Sequence, residues 1–233
     1  MATTDKAQRF AGVRLLIFDL DGTLVDSCQD LAISVNAARA RMGLRPLPHE
    51  QIRGYVGHGA PMLVRRSLGP DASDADVGRA LGFFREHYRG HLLDNTAAYP
   101  GVGEALEALA GRGFVGDARR AMAVLTNKPT DFSEEILKGL GLRHYFGSVY
   151  GGESFERKKP DPIGVETLLR ELHAAPREAM MIGDSEIDVQ TARNAGVWAC
   201  GVTYGLGSQG LAVHPPDLLL DSLADLPRHL AAR

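Results

Sequence analysis

The stretch LLIFDLDGTLVDS, residues 15–27, closes an apolar run with two carboxylates, Asp19 and Asp21, and a glycine, Gly22, follows at once. Two later apolar runs also end in reactive side chains. AVLT ends in Thr126, with Asn127 and Lys128 behind it, and MMIGD ends in Asp184. Between them lies ERKKPDP, in which Lys159 precedes Pro160 and is thereby biased toward extended backbone in a loop. Aspartates that meet at one site repel one another unless a cation neutralises them. A hard divalent ion with oxygen ligands meets that need, and Mg²⁺ characteristically takes one or two carboxylates together with waters and a substrate phosphate. Asp19 and Asp21 can both serve such a site where the strand ends and turns. Gly22 supplies the permissive backbone for that turn, and the backbone carbonyl of Asp21 is one route by which this residue reaches a metal.

The elements that must position these residues can be read from the pattern around them. Six short apolar, β-branched runs recur: VRLLIFD, AMAVLTN, SVYGG, AMMIGD, VWACGVTY and DLLLDS. Helix-patterned stretches such as VGEALEALAGRG, TDFSEEILKGLG and IGVETLLRELHA separate most of them. Continuous apolar runs alternating with helices predict an α/β fold whose parallel sheet is buried on both faces. In such sheets the strand carboxyl ends carry the ligand site, and those are the ends where Asp19, Thr126 and Asp184 fall. Between Asp26 and about Tyr99 the alternation stops. CQDLAISVNAARARMG, PHEQIRGYVG, APMLVRRSLG and ASDADVGRALGFFREHYRGHLL read as successive helices with no convincing strand. The expected organisation is a core of residues 1–26 and 97–233 interrupted by a helical insert at 27–96.

Composition narrows the partners. The chain is 44% hydrophobic and 24% charged with a formal net charge of −3, which leaves no basic footprint for nucleic acid. No apolar run is long enough to span a bilayer. Two cysteines, Cys28 and Cys200, without a CxxC pair, support neither a disulfide framework nor a zinc cluster, so a cytoplasmic setting is expected. Cys28 lies near the acidic pair, but it reads as a packed small hydrophobe rather than a nucleophile. Taken singly, each polar residue also has a plain structural explanation. An Asp at a strand end commonly caps a turn or a helix, as Asp184 could in GDSEID. Their joint occurrence, in this order and on this pattern, favours chemistry.

At these residues the chain resembles the haloacid dehalogenase-like hydrolase superfamily. The resemblance rests on DLDGT at Asp19 to Thr23, LTNK with Thr126, the Lys159–Pro160 pair and GDSEIDVQTARNAG with Asp184 and Asp188. It implies a Rossmann-like parallel sheet core carrying an inserted helical cap. The chemistry it implies is phosphoryl transfer through an aspartyl-phosphate. Asp19 is then the nucleophile, Asp21 the general acid and base, Thr126 and Lys159 the partners of phosphoryl group and nucleophile, and Thr23 and Asn127 substrate contacts. Mg²⁺ is implied on Asp19, Asp21 and Asp184, with Asp188 orienting its shell. The acid at Asp21 favours phosphate esters over carbon–halogen bonds, whose cleavage needs no protonated leaving group.

Within the superfamily, YVGHGAPMLVRRSL is similar to the corresponding stretch of the bacterial phosphoglycolate phosphatase subgroup. That similarity implies a small phosphorylated acid as substrate, 2-phosphoglycolate first, with Arg66 reading its carboxylate. A phosphatase for another small metabolite, or a phosphomutase of the β-phosphoglucomutase type, is the alternative. A pure binding module would have no need of both nucleophile and acid. The expected assembly is a monomer or a small homo-oligomer. The stretch GRGFVGDARRAMAVLTNK departs from the subgroup by a longer loop before the second core strand.

Overall fold

The computed structural model describes residues 9–111 and 120–231. After β1 (Leu15–Phe18) the chain passes through β2 (Val25–Asp26) into α1 (Cys28–Arg41), α2 (His49–Arg53), α3 (Ala60–Leu68) and α4 (Asp74–Gly90), and returns through β3 (Ala97–Ala98). Then follow α5 (Val102–Gly111), β4 (Ala121–Leu125), α6 (Thr130–Gly139), β5 (Ser148–Tyr150), α7 (Ile163–Glu171), β6 (Ala179–Gly183), α8 (Glu186–Ala195), β7 (Trp198–Val202), β8 (Leu218–Leu220) and α9 (Leu226–His229). The expected longer loop before β4 lies largely outside the described residues.

Six strands form one sheet in the order β5-β4-β1-β6-β7-β8, and every neighbouring pair is parallel. All six apolar runs of the sequence are strands of this sheet. The reason is visible in β1, whose side chains alternate between two cores. Leu16 and Phe18 pack into one cluster with Val124 and Ile182, and Leu15 and Ile17 into another with Val165 and Leu168. Each such side chain, wholly removed from water, stabilises the fold by about 1.5–3 kcal/mol. The register places Phe18 opposite both Val124 and Ile182, so the residues just past these three strands come out side by side at one sheet edge.

The segment between β2 and β3 holds helices only. α1 buries Leu31, Ala32, Val35 and Ala38, a one-faced spacing that packs chiefly on α4, whose inward residues are Val77, Ala80, Phe84 and Tyr88. The Ser73 hydroxyl caps α4 by accepting from the Asp76 N–H at 3.1 Å. α2 is shorter than PHEQIRGYVG suggests, a helix from His49 to Arg53 followed by turns that carry the chain to Gly57 and Gly59. Both glycines have positive φ, +116° and +84°, and Gly59 sits at the start of α3.

The exits of this helical segment are held together twice. Val25 pairs with Ala98 and Asp26 with Ala97 in an antiparallel ribbon. Beside it the buried carboxylate of Asp30, in the first turn of α1, accepts from the Asn95 N–H at 2.9 Å, the Asn95 amide at 2.7 Å, the Thr96 N–H at 2.8 Å and the Thr96 hydroxyl at 2.7 Å. Among the described residues no helix is long and apolar enough to cross a membrane.

Candidate active site

Asp19 follows β1 directly, and its N–H still donates to the Ile182 carbonyl at 2.9 Å, so the sheet ladder aims the side chain. Its carboxylate is almost wholly buried, accepts from the Leu20 N–H at 2.7 Å and lies 3.0 Å from the Lys159 ammonium. Lys159 in turn donates to Asp188 at 2.6 Å. The second oxygen of Asp188 accepts from the Ser185 N–H at 3.1 Å and from its hydroxyl at 2.7 Å, so this carboxylate is fully engaged in holding Lys159 and the start of α8. Gly183 admits it, since a Cβ there would stand 2.1 Å from the Asp188 carboxyl carbon.

Asp184 follows β6. It accepts from the Thr23 hydroxyl at 3.3 Å and the Gly207 N–H at 2.7 Å. Thr23 is buried and its hydroxyl faces Asp184, so the structure places it as a neighbour of the acidic group. The turn at Gly22, with φ +87°, comes so close that a Cβ would meet the Asp184 carboxylate at 2.3 Å.

Carboxylate oxygens of Asp19, Asp184 and Asp188 lie within 4.8 Å of one another. Among the described residues Lys159 is the only cation paired within this group. The imbalance appears in the proton affinities. Burial pushes Asp19 up to about 6, with Lys159 opposing and Asp188 adding to the rise. Burial, then the charges of Asp188 and Asp19, push Asp184 up to about 8. Burial alone would lower Lys159, but Asp188 and Asp19 hold it above its ordinary value. A buried group with more negative than positive charge and only oxygen donors fits a hard divalent cation. The free donors suited to it are on Asp19 and Asp184, since Asp188 has both oxygens in use.

The Asp21 carboxylate stands apart from this group. Residues two apart on a regular strand share a face, but the turn beyond β1 sends Asp21 elsewhere. It accepts from the Ser27 hydroxyl at 2.5 Å and from the Lys128 ammonium at 3.0 and 3.1 Å. Lys128 is buried, and its third contact is the Tyr88 hydroxyl of α4 at 2.7 Å. Burial works against its charge, yet Asp21 and Tyr88 hold the ammonium above its ordinary value.

Asp19, Asp21, Thr126, Asn127 and Lys128 from the sheet edge, with Gly57, Ala60, Leu63, Phe84 and Tyr88 from the helical segment, line one cavity. Thr126 follows β4, and its Oγ1 accepts from the Lys128 N–H at 3.3 Å. The Asn127 amide donates to the carbonyls of Gly57 at 3.0 Å and Lys159 at 3.1 Å, so both its hydrogens tie the helical segment to the lysine loop. Arg66 does not reach this cavity. It is exposed on the later half of α3 and lines a neighbouring cleft with Arg53, His58 and Glu186.

Two contributors escaped sequence reasoning. Lys128 stands behind Thr126 in the quoted LTNK, a position that by itself assigns it no role. Tyr88, spaced four residues from Phe84, reads as helix core, and nothing in its local sequence announces that its hydroxyl meets Lys128. Cys28 is half-buried, with its thiol raised chiefly by burial, and holds no place in the cavity.

A central parallel strand ending in Asp19, with Thr126, Lys159 and Asp184 beside it, is the frame that the family comparison identifies. Residues 16–202 match the family model for haloacid dehalogenase-like hydrolases. The chain belongs to that family. It is 39% identical to a phosphoglycolate phosphatase of Vibrio vulnificus, over 92% of this chain and 94% of that protein. A phosphoglycolate phosphatase of Pseudomonas putida is 37% identical over 94% of this chain and 81% of its own length. Among solved structures, a protein described as a predicted phosphoglycolate phosphatase from Haemophilus somnus superposes with a TM-score of 0.85 at 32% identity, covering 92% of this chain and 96% of that one.

Proposed function

We propose that this protein is a Mg²⁺-dependent phosphomonoester hydrolase acting on a small phosphorylated acid, 2-phosphoglycolate first. The observation that carries the reading is the division of labour at the sheet edge: a buried carboxylate, Asp19, paired with Lys159, and a second, Asp21, held by Lys128, both lining one cavity with Thr126. The relatives named above supply the substrate. Asp19 and Asp184 would hold the metal, which when bound offsets the negative charge shared by the carboxylates and the phosphoryl group.

An oxygen of Asp19 attacks phosphorus in line, the bond to the leaving oxygen breaks, and Asp21 delivers its proton to that oxygen. Water then attacks the same phosphorus, Asp21 takes the proton, and the bond to Asp19 breaks. Throughout, Lys159 holds Asp19 in position and Thr126 offers its hydroxyl to the phosphoryl oxygens. Asp188 orients Lys159. Residues 27–96 act as a cap over a core of 1–26 and 97–233, excluding water while the ester is cleaved. The cytoplasm is the compartment we assign, on the basis of two cysteines that are both free.

Phosphate release from a panel of small phosphorylated metabolites, with Mg²⁺ and with chelator, tests this reading. Metal-dependent turnover with phosphoglycolate leading the panel is the expected result. Turnover that ignores the chelator, or none on any monoester, would refute it.

A further inference from the structure

The cavity over Asp19 is lined mostly by apolar groups of the helical segment, among them Leu31, Leu63 and Phe84. A carboxylate carried into it on a leaving group loses its water and must meet a charge partner there. Arg66 faces another cleft. Of the residues that line this cavity only Lys128 is cationic, and its ammonium lies within 3.1 Å of both oxygens of Asp21, the group placed at the leaving oxygen. A substituent one or two atoms beyond that oxygen is therefore beside Lys128.

Tyr88 completes the arrangement. Its hydroxyl accepts a hydrogen bond from Lys128 at 2.7 Å, and the ammonium sits at this hydroxyl edge, 4.7 Å from the ring centroid. A hydroxyl that accepts in this way keeps its own hydrogen to donate, and among the described residues no acceptor takes it. The three hydrogens of Lys128 are directed at Asp21 and Tyr88, so the site offers a carboxylate the positive charge of the ammonium and, beside it, the free phenolic O–H as donor.

We propose that Lys128 and Tyr88 are the pair that reads the substrate's carboxylate. This rests on the phosphoglycolate reading above and assigns its specificity to the loop between β4 and α6 and to the end of α4. Lys128 thereby has two duties, keeping Asp21 at the leaving oxygen and anchoring the acid that departs with it. The first affects every ester, the second only carboxylated ones.

The test compares kcat/KM for phosphoglycolate with that for ethyl phosphate, which has the same kind of leaving oxygen and no carboxylate, in the full-length protein with Mg²⁺. The wild type should prefer phosphoglycolate. Lys128→Met should shrink that preference by about 10- to 100-fold, as for a lost contact with a charged group, beyond any loss shared by both substrates. Tyr88→Phe removes one oxygen from a packed ring and gives an independent measure, with a smaller shrinkage of about 3- to 10-fold. A wild type with no preference would overturn the phosphoglycolate reading, and this assignment with it. A wild type whose preference survives intact in both variants would overturn the Lys128–Tyr88 assignment alone.

Discussion

Asp30 offers a strong test of how the helical segment is held. Its carboxylate is buried and accepts four hydrogen bonds from Asn95 and Thr96, immediately before β3. Replacing it with alanine leaves the Thr96 N–H and hydroxyl buried without an acceptor, while exposed Asn95 can turn to water. At about 1–3 kcal/mol for each stranded donor, Asp30→Ala should cost about 2–6 kcal/mol. Asp30→Asn keeps the shape and one oxygen. That oxygen can take the three contacts now made by Oδ2, and the Asn95 amide can turn its own oxygen toward the new NH₂. Its cost should be about 1 kcal/mol.

The pH dependence has a definite sign. Burial works to raise Asp30, but the hydrogen bonds from Asn95 and Thr96 outweigh it and hold the carboxyl below its ordinary 3.8. A depressed folded-state value stabilises the native protein above the unfolded-state value, and the contribution is lost as pH falls through the folded one. The gap between wild type and Asp30→Asn should thus be constant near neutrality and narrow below about pH 4. Urea unfolding at several pH values measures it. If Asp30→Ala unfolds within about 0.5 kcal/mol of wild type, as an ordinary surface change does, the four bonds contribute nothing net and the reasoning fails.

Other outcomes follow from the same geometry. Asp19→Asn should reduce turnover to background while far-ultraviolet circular dichroism stays that of the wild type, and residual hydrolysis in pure folded protein would exclude Asp19 as nucleophile. Asp21→Asn keeps its size and its backbone carbonyl and should lose about 10²–10⁴-fold in kcat with Mg²⁺ affinity retained; lost affinity at unchanged rate would reverse its role. Lys159→Met strands Asp19 and Asp188, now 3.0 and 2.6 Å from its ammonium, and should destabilise by about 3–5 kcal/mol in chelator, with part of the loss recovered on adding Mg²⁺. Urea midpoints in the two conditions would reveal whether the metal compensates the acidic group at all.

How much of this could be read beforehand depended on the range of each interaction. The six core strands were legible because burial on both faces makes each a short unbroken apolar run, and the helical segment because that pattern lapses. β2 and β3 were not, since two residues apiece carry no periodicity and their pairing joins positions far apart in the chain. The acidic group was legible from residues ending neighbouring strands. Lys128 could be seen beside Thr126, yet its partner Tyr88 lies 40 positions earlier, and only folding α4 against the sheet edge gives that lysine a purpose. Arg66 drew attention through a local motif, but its side chain departs from the later half of α3, whereas Gly59 and Ala60 at the start of that helix face the cavity.

The ribbon of β2 and β3 has a consequence for how such a protein can change. Because Val25 lies across from Ala98, everything between them enters and leaves the core at almost one point. A segment with adjacent ends can be exchanged, lengthened or trimmed without altering the register of any strand in the parallel sheet. Leu31, Leu63, Phe84 and Tyr88, which line the cavity, lie in this segment, whereas Asp19, Asp184 and Lys159 lie outside it. For the engineer, a graft of this stretch from a relative has to match the two short strands on which it is hung and to keep the contacts that Gly57 and Tyr88 make with Asn127 and Lys128.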